Sequence, residues 1–219
     1  MFWQEEIDEA QFVVPDDVVD LIFKIRCPTL PVDHAWALSE AIHQALPWFA
    51  DAPRSGLHLI YGADSGNGWE RPNEGDETLY LSRRTPLILR LPKERVGEAG
   101  ALSGMALDIS GHELRVGDAH TRFLGMATTL YCRHLVSGAQ QTEEAFLEWA
   151  VAELRALDLG FKKVLCGKGT VFSSPEGEIT TRSLMVAGLA LDDAVTLQEQ
   201  GLGPLRNRGF GLFVPYKTV

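Results

Sequence analysis

The sequence predicts an α+β fold built as two tandem units, and three observations carry that expectation. Apolar residues alternate at period two in several short runs, as half-buried strands require. Two stretches carry apolar residues at helical spacing behind a capping residue. The same order of elements then occurs twice along 219 residues, a length that allows two domains of roughly 100 residues each.

In the first half, Val19, Leu21, Phe23, Ile25 and Cys27 share one face of a strand and Asp20, Ile22, Lys24 and Arg26 the other. Pro28 and Pro31 end it, and Asp33 stands at the N-cap position of a helix with the stripe Ala35, Leu38, Ile42, Ala45 and Leu46. Pro47 closes that helix, because proline can continue neither its hydrogen bonding nor its packing. Extended runs follow at Gly56–Tyr61 and Leu87–Leu91, separated by a loop over 62–77 rich in Gly, Asn and Asp and long enough to be functional or mobile. A short helix near Lys93–Ala99 and strands at Met105–Ile109 and Glu113–Val116 complete this half.

The second half reads the same way. Thr121–Cys132 is extended, and Thr142 caps a helix carrying Phe146, Ala150, Leu154 and Leu157, with Glu143 and Glu144 at its positive end and Gly160 past its last turn. Strands are expected at Lys163–Cys166, Thr170–Phe172 and Thr180–Leu189, a helix capped by Asp192 and reaching Gln200, and a last strand at Arg208–Val214. Strand, helix, two strands, helix, strand is the split βαβ or ferredoxin-like order. The expectation is therefore two ferredoxin-like domains, 1–120 and 121–219.

Composition excludes other classes. With 45% hydrophobic and 23% charged residues the chain can bury a core, which a disordered or fibrous protein cannot. No window approaches the roughly 18 apolar residues of a membrane helix, and the acidic start is unlike a targeting peptide, so a cytoplasmic protein without a membrane partner is expected. Cys27, Cys132 and Cys166 form neither a CxxC pair nor a set with histidine at ligand spacing, so neither a metal nor a cofactor is expected. The net charge of −10 argues against a nucleic-acid partner, yet its distribution does not. Residues 1–20 hold seven carboxylates and no Lys or Arg, whereas residues 162–219 hold seven basic residues against five acidic ones. Phosphate binding follows local potential.

The densest motif is Gly201-Leu-Gly203-Pro-Leu-Arg206-Asn-Arg208-Gly209-Phe-Gly211. Its four glycines allow positive φ and close backbone approach, so free N–H groups could cradle phosphates beside Arg206 and Arg208. An ordinary turn is the other reading, although a turn needs only one or two glycines. No GK[ST] follows, as a phosphate-binding Walker loop requires, and the motif precedes a strand where a Rossmann fingerprint opens a helix.

This doubled glycine loop resembles the repeat-associated RNA-binding superfamily of CRISPR systems, and within it the endoribonucleases that process precursor CRISPR RNA. Leu30-Pro-Val-Asp-His34, Leu81-Ser-Arg-Arg-Thr85 and Leu89-Arg-Leu-Pro92 are similar to the MYXAN-type branch. The resemblance implies two ferredoxin-like domains, a metal-independent ribonuclease acting on CRISPR repeat RNA, a histidine in or near the first helix and a glycine-rich loop that helps to hold RNA. Other subunits of an interference complex are possible partners. A non-catalytic RNA-binding subunit, or an unrelated ferredoxin-like protein whose glycine loop binds an anion, are the alternatives.

Metal-free RNA cleavage needs a group that takes a proton from the ribose 2′-OH, and histidine titrates in the right range. On a helical wheel His34 lies about 60° from the centre of the apolar stripe and His43 about 120° away. His43 is expected to face solvent, and His34 to sit at the edge of core and surface, where the helix dipole favours the neutral ring. With the resemblance, His34 is the expected catalytic residue, and His58, within Gly56-Leu57-His58-Leu59-Ile60, is the runner-up. Arg83, Arg84 and Arg90 lie in a stretch without carboxylates and could clamp phosphates or could form a charged edge strand. Lys162, Lys168 and Arg182 sit on a hairpin that could grip an RNA stem by its backbone. Gly201, Gly203, Arg206, Arg208, Gly209 and Gly211 complete the expected RNA contacts, with Trp69 as a base-stacking candidate.

Overall fold

A computed structural model describes residues 13–62, 78–138 and 142–216; Trp69 and residues 63–77 of the long loop lie outside the described residues. Strand β1 (Val18–Arg26) turns Leu21, Phe23 and Ile25 into the core. A short ribbon pairs β2 (Thr29–Pro31) with β4 (Thr78–Tyr80), on either side of helix α1 (Ala35–Ala45) and strand β3 (Gly56–Leu57). Then come β5 (Pro86–Pro92), the single turn α2 (Val96–Ala99), β6 (Ala106–Ile109) and β7 (His112–Phe123). The sheet order is β3-β5-β1-β7-β6, every pair antiparallel. That is the ferredoxin-like order with β6 added at one edge. Leu38, Ile42 and Phe49 of the helical layer complete the core against Phe23, Leu87 and Leu89.

The second domain comprises β8 (Thr129–Val136), α3 (Glu143–Ala156), β9 (Lys163–Ser174), β10 (Gly177–Ala187), α4 (Leu191–Gln200) and β11 (Val214–Pro215). Its order β11-β8-β10-β9 is the ferredoxin-like arrangement without addition. Thr142 caps α3 as expected, its hydroxyl accepting from the Ala145 N–H at 3.2 Å.

Several local expectations are corrected. Position 120 lies inside β7, which stays paired with β1 to Phe123, so the change of sheet falls between Phe123 and Thr129. The two strands expected at 163–172 are one strand, because β10 pairs along its whole length across a bulge opposite Arg182–Leu184. Arg208 begins no strand: Arg206–Arg208 is a 3-10 turn and, among the described residues, the last strand is Val214–Pro215. Asp33 is not the N-cap residue of α1; His34 is, and the Asp33 carboxylate accepts from the Ser173 N–H of the β9–β10 hairpin at 2.7 Å.

That bond is one of several holding the domains together. Ala35 and Leu59 of the first domain pack on Phe172 and Phe210 of the second, with the two phenylalanines edge to face at 5.1 Å. The Arg90 guanidinium crosses the same seam.

Candidate active site and nucleic-acid interface

Period-two alternation sets the site. In β1 the residues between the core-facing ones turn to the opposite face, and Asp20 lies across from Arg90 on β5 and from Arg122 on β7. Just past β3, Leu57 and Leu59 are buried, while His58 between them turns to the same open face as Asp20, its N–H donating to the Ile88 carbonyl at 3.0 Å. The second domain brings Tyr131, Arg133 and His134 to the facing side. Between them is a cleft of about 340 Å³, the size of a small-ligand or nucleotide pocket.

On its floor, Asp20 is buried and accepts from Arg90 Nε at 2.9 Å and from Arg122 Nη2 at 2.9 Å. Burial pushes its carboxyl up, but the Arg90 charge and the contacts from His58 and Arg90 outweigh this and hold it well below the usual carboxylate range. His58 Nε2 stands 3.5 Å from the Asp20 carboxylate and has no hydrogen-bond partner. Burial pushes the His58 pKa down; Asp20 opposes this, while Arg90 and Arg122 add to it. The ring is therefore neutral at neutral pH, beside a fixed negative charge that would stabilise it on taking up a proton. Arg133 lies over the Tyr61 ring at 4.6 Å, and His134 meets Phe172 edge-on at 4.8 Å.

His34 is placed differently from its expectation. It is buried, not at the core edge. Its Nδ1 contacts the Pro31 carbonyl at 2.9 Å, so Nδ1 carries the proton, and Nε2 accepts from the Ile60 N–H at 3.1 Å. Both nitrogens are occupied by backbone, tying the start of α1 to the strand-like segment beyond His58. Proton exchange with a substrate would have to break a buried hydrogen bond. His43 does not face solvent either: it is half-buried, and Nε2 donates to the Asn207 carbonyl of the glycine-rich loop at 3.2 Å.

The glycine-rich loop is a strap between domains. A Cβ on Gly209 would collide with Leu59 of the first domain, and one on Gly211 with the Leu202 carbonyl across the loop. Both have positive φ, as do Gly201 and Gly203. The close approach that Gly209 and Gly211 permit is to the protein's own chain. Arg208 donates to Ser39 Oγ at 2.9 Å and Glu40 Oε1 at 2.7 Å and lies on the Trp36 ring at 3.7 Å. Arg206 donates to the Glu199 carbonyl at 2.8 Å, and burial pulls its pKa down to about 10. Asn207 bonds to the Ala50 carbonyl. Arg90, expected on RNA, is fully buried, donating to Asp20 and to the Gln198 and Phe213 carbonyls at 3.0 and 2.8 Å. A guanidinium taken out of water needs such acceptors; Arg90 is fully engaged within the protein, and Arg206 and Arg208 are each anchored to it.

Arg83 and Arg84 are exposed in the turn that leads into Thr85 and Pro86 at the cleft. Lys162 and Lys168 are exposed on the second domain and Arg182 is half-buried near Cys166; none of the three lines the cleft. Asp20, Arg122, Tyr131 and Arg133 were not singled out from the sequence. Asp20 had a signal, being a charged residue between the core residues Val19 and Leu21, but its convergence with Arg122 depends on register. Among the described residues, no three His, Cys, Asp or Glu side chains converge as a metal ion requires.

Comparison with known proteins accords with the geometry. A curated CRISPR-associated endonuclease Cas6 of Myxococcus xanthus (strain DK1622) is 29% identical over 198 residues, 90% of this chain and 81% of the relative. Among solved structures, a CRISPR-associated protein Cas6 superposes with a TM-score of 0.64 at 13% identity, covering 91% of this chain and all of the other. A Cas6-related protein of Pyrococcus furiosus gives 0.59 at 14% identity, covering 90% and 97%. These last two show the shared fold, two ferredoxin-like domains. A profile of the Cas6 CRISPR family matches residues 19–218, from the centre of the first sheet through both domains and past the strap, and on that match the chain belongs to the Cas6 CRISPR family.

Proposed function

We propose that this protein is an endoribonuclease that binds the repeat of a precursor CRISPR RNA and cuts it by attack of a ribose 2′-OH, with His58 as the group that takes the proton. The observation that carries the reading is that His58 lines a cleft with Arg122 and Arg133, its Nε2 turned to the Asp20 carboxylate at 3.5 Å. The Myxococcus relative, described as an endonuclease, supports the same activity.

The nucleophile is part of the RNA, so the reaction needs no metal-bound water. Neutral His58 accepts the 2′-OH proton as that oxygen attacks the adjacent phosphorus, and the 5′ oxygen leaves in line, taking up a proton from solvent water. Asp20 stabilises the imidazolium that forms. Arg122, whose side chain is 57% exposed although one nitrogen holds Asp20, faces the charge that develops on the phosphorane oxygens. The products are a 2′,3′-cyclic phosphate and a 5′-OH. Arg83 and Arg84 at the cleft mouth hold the flanking backbone.

Incubating the protein with labelled repeat RNA in EDTA tests this. Cleavage that persists, leaves those ends and stops with a 2′-deoxy residue at the cut supports it. Binding without any cleavage makes the protein a non-catalytic RNA-binding subunit.

A further inference from the structure

From the cleft outward, the second sheet carries an apolar row with basic residues around it. On the second sheet, Leu130, Cys132, Leu184 and Val186 face the helices, so their strand neighbours form the opposite, open face. Register puts four of these in one row: Leu165 on β9 opposite Met185 on β10, Met185 opposite Tyr131 on β8, and Tyr131 opposite Val214 on β11. Leu165 is 44% exposed, and Tyr131, Met185 and Val214 are half-buried. Tyr131 and Val214 also line the cleft that holds His58, so the row runs outward from that cleft to the sheet edge. Tyr216 meets Tyr131 edge to face at 6.1 Å.

Charge identifies what such a face takes. The chain has a net charge of −10, yet β8 to β11 carry Arg133, Lys163, Lys168 and Arg182 against one carboxylate, Glu178 at the hairpin end; of these Arg182, opposite Leu135 and beside Cys166, lies on the helix side. Lys163 and Lys168 are exposed. An apolar protein partner would gain nothing from that bias, whereas a strand of phosphates would. Bases stack on aromatic and apolar side chains while basic residues track the backbone, the combination by which single-stranded nucleic acid is held without sequence readout.

We infer that the open face of the second sheet is a platform for single-stranded RNA, on which the strand leaving the active-site cleft stacks a base on Tyr131 and crosses Met185 and Leu165 toward Lys163 and Lys168. The inference rests on the proposed reading of the cleft as an RNA site and extends it to an unpaired flank, held separately from the bond that is cut.

The test uses an unstructured uridine RNA of about twelve nucleotides, within the span such platforms cover, labelled for fluorescence anisotropy. Wild type should bind it. Tyr131→Ala and Leu165→Glu should each weaken binding about tenfold, consistent with the loss of one stacked base, while Tyr131→Phe should bind like wild type. Urea midpoints establish that the variants fold; should Tyr131→Ala fail to fold, the exposed Leu165→Glu decides alone. Wild-type affinity in the folded variants, or a wild type that binds repeat RNA but not the uridine strand, overturns the platform and leaves the proposed function standing. Binding that depends on Tyr131, in a protein that never cuts repeat RNA, does the reverse.

Discussion

Asp20 and His58 face each other at 3.5 Å across neighbouring parts of one sheet, and only Asp20 has its hydrogen bonds filled. A fixed negative charge beside a neutral imidazole gives the cleft a proton acceptor whose charged form is already provided for.

The first consequence is a pH profile. His58 must be neutral to accept a proton, and burial with Arg90 and Arg122 holds its pKa below the ordinary 6.5. Log kcat/KM should therefore rise with pH and level off with a midpoint on the acid side of 6.5, because that parameter reports the free enzyme. Arg122→Ala removes one of the charges that depress it, so the midpoint should move up while the rate falls. A midpoint above 7 in the wild type would contradict the assignment.

His34 should matter to folding. His34→Ala leaves the Ile60 N–H and the Pro31 carbonyl without partners in a buried place, a cost of about 1–3 kcal/mol per unsatisfied group. The urea midpoint should drop clearly, and the folded fraction should cut repeat RNA at close to the wild-type single-turnover rate. A stable variant with a rate about 10²-fold lower would return catalysis to His34.

Salt dependence separates the strap from the RNA contacts. Arg83→Ala with Arg84→Ala should weaken RNA binding and reduce the slope of log affinity against log salt, by roughly 0.7 per lost contact to a single strand. Arg206→Ala with Arg208→Ala should leave the slope unchanged and lower stability, since both arginines are occupied by Glu199, Ser39 and Glu40. Gly209→Val should fold poorly because of Leu59 and its φ of 103°.

Asp20 and Arg90 form the fourth case. Arg90→Met leaves the buried Asp20 carboxylate with Arg122 as its remaining guanidinium, and breaking a buried pair costs about 3–5 kcal/mol; it also unties the first sheet from the Gln198 and Phe213 carbonyls. The folded pKa of Asp20 lies below the unfolded value near 3.9. Its contribution to stability is thus complete above that value and is lost as pH falls through the folded one. Urea midpoints between pH 5 and pH 2 should fall steeply in the wild type and more gently in Asp20→Asn.

Much of this architecture could be read from the sequence because it is local. Period-two runs located β1 and β5, the helical stripes located α1 and α3, and Thr142 caps where its side chain says it should. The surroundings of His34 and of the glycine loop were not legible, for a common reason. A helical wheel gives the direction of His34 but not the Ile60 N–H that arrives from 26 residues away. Four glycines announce close approach but not whose atoms approach, and here they are those of Leu59 and Leu202. The site itself needs register: Asp20, Arg90 and Arg122 are 70 and 102 residues apart and meet only when three strands pair.

The most direct test of the central claim is the single-turnover cleavage of repeat RNA by three variants side by side, His58→Ala, His34→Ala and His43→Ala, each at saturating protein and in EDTA. The account predicts a loss of about 10²-fold or more for His58→Ala alone, within the range of a missing general base, with RNA affinity little changed. A His58→Ala protein that is folded, binds the repeat and cuts it at the wild-type rate would contradict it.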